Sequence, residues 1–196
     1  TFSIIGKNHM KRIIPAALAA LLAFGASVAS AGQAAPAAVP ASPARAAAAA
    51  DVASVDAVLA ALYGVISGPA GAPRDWDRMR SLFAPEGKMA AVSARPAGGF
   101  GLRSMTVEDY IARNSKHFAA EGFFETELAR TTETFGQVVH VFSTYEARKA
   151  PGAAPFARGI NSVQLYHDGA RWWIVSLLWR AEDAKLPLPA RYLESH

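Results

Sequence analysis

The sequence predicts an α+β domain in which helices pack on one face of an antiparallel sheet. Two observations predict it. Up to Gly122, apolar residues recur at helical spacing in three separate segments, and from Phe123 onward the period switches to two. The strand-forming half is then divided by Gly136-Gln137 and Asp168-Gly169, dipeptides suited to tight hairpin turns.

The first 50 residues stand apart from that pattern. Met10-Lys11-Arg12 reads as a start with a basic n-region, Ile13–Val28 as an apolar h-region, and Ala29-Ser30-Ala31 as a cleavage site before Gly32. Thr1–His9 precedes that start and reads as upstream translation or a cloning scar. Residues 1–31 are therefore expected to be a leader, and the domain to be exported, periplasmic or secreted. No apolar run of the length a bilayer requires is expected after cleavage. Residues 32–50 are almost entirely Ala and Pro, and Pro36, Pro40 and Pro43 favour an extended linker, with Ala46–Ala50 able to join the next helix. The folded domain is then 51–196.

The chain has no cysteine, which excludes disulfides, thiolate metal sites and a cysteine nucleophile. Its net charge of +4 falls to +1 when Lys7, Lys11 and Arg12 leave with the leader, and no basic block remains to track a nucleic-acid backbone. Nucleic acid is not an expected partner.

Within the domain, Asp51 is the predicted N-cap of a first helix whose Val52, Val55, Val58, Leu59, Leu62 and Ile66 share a face. Ser67-Gly68-Pro69 closes it, with Gly68 expected as a left-handed cap. A short second helix follows Asp75, with Trp76, Met79, Leu82 and Phe83 on one face and Pro85 as its stop. Lys88–Ser93 is predicted as a strand and Arg95–Gly101, rich in Gly and Pro, as a loop. Thr106 and Asp109 give a capping signal for a third helix that carries Val107, Tyr110, Ile111, Asn114 and Phe118 and ends at Gly122.

Phe123–Phe135 and Val138–Arg148 form the first predicted hairpin. Pairing Phe135 with Val138 sets Leu128 opposite Tyr145. One face then holds Leu128, Arg130, Val139, Val141, Ser143 and Tyr145, and the other Glu125, Glu127, His140, Phe142, Glu146 and Arg148. Phe156–His167 and Arg171–Trp179 form the second hairpin.

The order of these elements, together with the run Asp75–Pro85, the segment Phe135–Ser143 and the closing Asp168–Val175, resembles the nuclear transport factor 2-like superfamily and its SnoaL-like domains over about residues 51–194. That resemblance implies a cone: a strongly curved antiparallel sheet wrapped against three N-terminal helices, with a pocket at its open end. The superfamily holds isomerases, dehydratases, hydrolases, cyclases and binding domains, so fold alone leaves the activity open. Its ketosteroid isomerase branch places a carboxylate base near the first strand, and holds the oxyanion with a first-helix tyrosine and a protonated acid on a later strand. Here Lys88–Ser93 contains no carboxylate, and Tyr63 falls one position, about 100°, from the matching place. That mechanism is not expected.

The candidate ligand-binding residues are Tyr63, His117, Glu127, Tyr145, Arg158, Asn161, Gln164 and Trp173. Most are polar groups in apolar strands or on a helix face, where burial can move a carboxylate, imidazole or phenol toward neutral acidity. Plainer readings stand beside them. Glu125 and Glu127 fit a solvated or dimer-facing sheet surface, with Glu125 paired to Arg148 across the strands. His117 suits the C-terminal end of its helix. In Arg158–Gln164, alternation puts Arg158, Ser162 and Gln164 on one face and Asn161 on the other, and these groups must be satisfied by one another or by a ligand. Trp172 and Trp173 must point to opposite faces, and an outward Trp predicts a homodimer.

No metal or cofactor is expected. The histidines lack ligand-pair spacing, Gly98–Gly101 lacks the lysine and helix of a phosphate loop, and no Gly-x-Ser-x-Gly elbow occurs. The expected function is an exported domain binding a small, largely apolar molecule. The alternatives are an acid–base enzyme of isomerase, dehydratase or hydrolase type in the same pocket, and a protein-interaction domain using the convex sheet face.

Overall fold

The computed structural model describes residues 46–194, so the expected leader and most of the Ala/Pro linker lie outside the described residues. The order is α1 (Ala49–Val52), α2 (Val55–Ile66), α3 (Trp76–Leu82), β1 (Phe83–Ala94), β2 (Phe100–Thr106), α4 (Val107–Ala120), β3 (Phe124–Phe135), β4 (Val138–Arg148), β5 (Ala157–His167) and β6 (Trp172–Ala181), with a final 3-10 turn at Ala190–Tyr192. The strands form one curved, open sheet in the order β2-β1-β6-β5-β4-β3. The sheet is antiparallel as expected, except that β1 runs parallel to β6.

The helices differ from expectation at their ends. Asp51 lies inside α1 and not at a cap; its carboxylate takes Arg78 Nε at 2.7 Å and Nη2 at 2.8 Å. A planar guanidinium fork matches a carboxylate better than backbone amides do. The cap of α2 is instead Ser54, whose side chain accepts from Ala57 N at 3.1 Å. At the other end Gly68 does not adopt positive φ. It pairs with Phe123 at the entrance to β3, through backbone bonds of 2.7 and 3.1 Å. The buried Arg74 donates to carbonyls at and just beyond the helix end, reaching Ile66 O at 2.9 Å and Gly68 O at 2.6 Å. A Cβ on Gly68 would stand 2.8 Å from that guanidinium, so space and not backbone angle requires glycine.

Asp75 caps α3, accepting from Arg78 N at 2.9 Å, and Thr106 with Asp109 makes a reciprocal capping box on α4. Pro85 does not end α3 from outside. The chain passes from Leu82 straight into β1, and Pro85 sits in an irregular stretch between Phe83 and Lys88, where a missing N–H does no harm. The expected loop at Arg95–Gly101 is a tight turn into β2, a strand the Gly-rich composition conceals.

The concave face is layered by register. One row across the sheet reads Val141, Val163, Leu177, Met89 and Met105, all buried beneath α2, α3 and α4. The next row reads Ser143, Asn161, Trp179, Ala91 and Arg103, and turns polar at both ends. A further row sets Tyr145 opposite Gly159. A Cβ at Gly159 would lie 2.4 Å from Arg180 O and 2.7 Å from the Tyr145 hydroxyl. Gly159→Ala is therefore expected to cost about 1–3 kcal/mol by overpacking; urea denaturation measures it, and an unchanged midpoint contradicts this packing.

Candidate functional site

The site begins with one extra residue in β3. From Phe135↔Val138 to Ala129↔Thr144 the hairpin keeps the expected register, but the next pair is Glu127↔Tyr145, leaving Leu128 unpaired and 40% exposed. This is a β-bulge, and it reverses the faces of everything before it. Leu128 does not face Tyr145, and Glu125 does not face Arg148: it stands opposite Ala147, while Arg148 pairs with Glu146 at 2.5 Å. Glu125 and Glu127 both turn to the concave side.

Glu125 is held there by its backbone. Ser67 Oγ accepts from Glu125 N at 3.0 Å and donates to Tyr63 O at 2.7 Å, which clamps the end of α2 to the start of β3. Its carboxylate takes Asn161 Nδ2 at 3.2 Å and makes no ion pair within 4.0 Å among the described residues. Burial dominates its acidity and raises its pKa from 4.5 to about 7, the Asn161 bond opposing only in part.

Behind it runs a buried polar chain whose donors can be assigned. Ser143 Oγ donates to Glu127 Oε1 at 2.5 Å, and Arg130 binds Glu127 Oε2 at 2.5 and 3.0 Å while reaching Asp56 at 2.6 Å. Serine has one hydrogen, so the 2.6 Å contact between Tyr63 and Ser143 is donated by the tyrosine. Tyr63 in turn accepts from Asn161 Nδ2 at 3.1 Å. Its proton is committed inside the protein. Tyr63 thus points into the network rather than away from it, yet it has no hydrogen to offer a ligand.

Two other phenols do. Tyr110 on α4 and Tyr145 on β4 line the same cavity as Glu125, and neither hydroxyl has a protein partner among the described residues. No buried side-chain nitrogen or oxygen lacks a partner there, so both hydroxyls are reached from the cavity. Desolvation, with the Glu125 charge second, raises the pKa of each and keeps them protonated donors. The cavity is about 600 Å³, a size suited to a small molecule. Its apolar wall includes Met89, Leu177, Trp179 and the stacked rings of Phe118 and Phe123, 4.6 Å apart.

The sequence-selected residues divide into three groups. Tyr145, Asn161 and His117 line the cavity, His117 at an exposed position. Tyr63 and Glu127 form the supporting chain. Arg158, Gln164 and Trp173 fall on the outer face: Arg158 pairs with Glu182 at 2.6 Å, Gln164 alternates with the buried Val163 and Leu165, and Trp173 donates to Asp168 at 2.6 Å beneath the Arg171 guanidinium. Sequence reasoning missed Glu125, because a bulge leaves no mark in an alternating strand. It also passed over Tyr110, whose neighbours Asn114 and His117 on one helix stripe were the available signal. Among the described residues no cluster of three His, Cys, Asp or Glu could hold a metal, and no helix is long and apolar enough to cross a membrane.

Comparison with solved structures fits this architecture. A protein of unknown function with a cystatin-like fold from Nostoc punctiforme PCC 73102 aligns over 69% of this chain and 92% of its own, with a TM-score of 0.51 and 12% identity. The chain has the fold of that protein, a curved open sheet with helices against it, the architecture that the nuclear transport factor 2-like resemblance implies. An NTF2-like protein of unknown function from Silicibacter pomeroyi DSS-3 is 17% identical over 66% of this chain and 94% of its own, at a TM-score of 0.45. A provisionally assigned dehydratase of the NTF2-like family from Streptomyces avermitilis is 15% identical over 68% and 97%, at 0.49. At these identities the likeness is one of fold. No family model and no curated protein matches the sequence.

The curved sheet makes Glu125 a pH-dependent liability. The unfolded carboxyl ionises near 4.5 while the folded one keeps its proton to about 7, so the unfolded state binds fewer protons between those values and stability falls as pH rises through that window. Glu125→Gln is expected to match the wild type near pH 4 and to exceed it above pH 7, by up to about 3 kcal/mol. Denaturation at the two pH values measures the gap, and a pH-independent difference contradicts the assignment.

Proposed function

We propose that the cavity binds a small, largely apolar molecule and that Glu125 moves a proton on it. The observation that carries this is a carboxylate turned into the cavity with no ion pair among the described residues, facing two phenols that have hydrogens to give. A base whose acidity lies near 7 is poised to take a proton at neutral pH. The chemistry it suits is proton abstraction beside a carbonyl. Glu125 receives the carbon-bound proton while Tyr110 or Tyr145 donates a hydrogen bond to the oxygen that gains negative charge. Asn161 fixes the carboxylate, and Tyr63 fixes Asn161. Returning the proton to a neighbouring carbon gives isomerisation; passing it instead to a hydroxyl on the next carbon, whose C–O bond breaks so that it leaves as water, gives dehydration.

A second reading, binding without chemistry, is favoured by one feature: Glu125 is the only carboxylate among the described residues lining the cavity, so a reaction needing a separate acid and base has no second carboxyl to use. The experiment separates the two. Small apolar ketones incubated with the protein in D2O are expected to exchange protons next to the carbonyl, with a rate that rises through a midpoint near pH 7 and falls about 10²–10⁴-fold in Glu125→Gln. Saturable binding by NMR with no exchange across the panel supports the binding domain instead.

Export through the leader remains part of this proposal, as does a homodimer. The outer sheet face supports the latter with Leu102 66%, Val175 42% and Leu178 39% exposed. Sedimentation is expected to show a dimer at micromolar concentration and a monomer for Leu102→Glu; a monomeric wild type contradicts it.

A further inference from the structure

We propose that the ligand carries an anionic group, a carboxylate or phosphate, at one end of its apolar body, and that Arg103 and Arg113 receive it at the cavity mouth while the other end meets Glu125. This rests on the cavity reading above and names the substrate class for it.

Arg103 and Arg113 both line the cavity and both are exposed, which places them at its mouth. Most arginines of this domain are occupied. Arg78, Arg80, Arg130 and Arg148 each bind a carboxylate, and Arg74 binds backbone carbonyls. Arg103 and Arg113 make no ion pair within 4.0 Å among the described residues. The acids nearest the mouth are engaged elsewhere. Asp109 closes the capping box of α4 with Thr106 and touches Arg113 only through its field. Glu121 is bonded by Lys149 and lies 3.9 Å from His117. The mouth therefore presents two uncommitted guanidinium groups, planar forks that match carboxylate or phosphate oxygens.

Their place in the fold sets the ligand's direction. Arg103 shares its register row with Ala91, Trp179 and Asn161, three strand spacings away, roughly 14 Å along the sheet and less across its curvature. Ala91 is too small to cover the arginine, and the Trp179 ring lies between the two ends. On α4, Tyr110 is buried and Arg113 follows one turn later, so the helix repeats the same gradient from deep phenol to outer cation. An anion at the deep end would face Glu125. At the mouth it meets two cations.

The test uses 4-phenylbutyrate and its uncharged counterpart 4-phenylbutan-1-ol, titrated calorimetrically at low salt into the full chain, with 4-phenylbutyl phosphate separating carboxylate from phosphate preference. The acid is expected to bind about tenfold or more tighter than the alcohol, and Arg103→Met or Arg113→Met to lower acid affinity by a similar factor while leaving the alcohol unchanged. Both sites are exposed, and a thermal melt checks that each variant is folded. Glu125→Gln is expected to keep the preference for the anion. Equal binding of acid and alcohol overturns the anion proposal and leaves the cavity reading intact. Loss of the preference in Glu125→Gln overturns it too, because the anion would then sit at the deep end. Failure of all three probes to bind removes the cavity reading and this proposal together.

Discussion

Placing a carboxylate in an apolar concavity without an ion pair is unfavourable, because desolvation penalises the charged form and a single amide hydrogen bond offsets it only in part. The fold imposes that position on Glu125 through the backbone. The unpaired Leu128 reverses the strand, the Gly68–Phe123 bridge fixes where β3 begins, and Ser67 holds the Glu125 amide. The side chain relaxes in the one way left to it, by keeping its proton to about neutrality. The acidity of the group is thus set by register, and register is set by one residue.

The two inward-turned acids of β3 illustrate how much a neighbour decides. Glu127 meets the Arg130 fork and the Ser143 hydroxyl, and becomes part of a structural chain that reaches Asp56 on α2. Glu125, two residues earlier and on the same face, meets Asn161 and no other side-chain hydrogen-bond partner among the described residues. One acid anchors the helix against the sheet and the other is left open to the cavity. The phenols divide in the same manner. Tyr63 spends its hydrogen on Ser143, whereas Tyr110 and Tyr145 keep theirs.

The layering of the concave face explains why these groups converge. Successive register rows pass from wholly apolar at Val141–Met105, through the mixed row of Ser143, Asn161 and Arg103, to Tyr145 over Gly159. The apolar rows carry the helices and exclude water. The mixed row meets the helices through Tyr63 of α2 and Tyr110 of α4 with the cavity beside them, so polar atoms appear where space for a ligand does. Arg74, by satisfying the carbonyls at the end of α2, keeps that helix end from needing water in the same region.

Much of the architecture was written in local patterns. Period 3.6 marked the helices around Leu59, Met79 and Ile111, period 2 marked the meander from β3 to β6, and the Thr106–Asp109 box and the Asp168-Gly169 turn were readable because they depend on residues three or fewer apart. What failed locally was whatever depended on distant groups. The strand β2 was hidden by its flanking glycines and is stabilised by pairing with β1; Asp51 left its expected cap for Arg78; and Tyr63 found Ser143, 80 residues away. The sequence alone therefore determined most of the elements, their order and the hairpin ends, because those follow from short-range backbone preference and hydrophobic period. Only the tertiary structure decided which face Glu125 occupies and which phenols retain a free hydrogen, because a bulge costs the pattern nothing and a proton's partner is chosen by three-dimensional proximity.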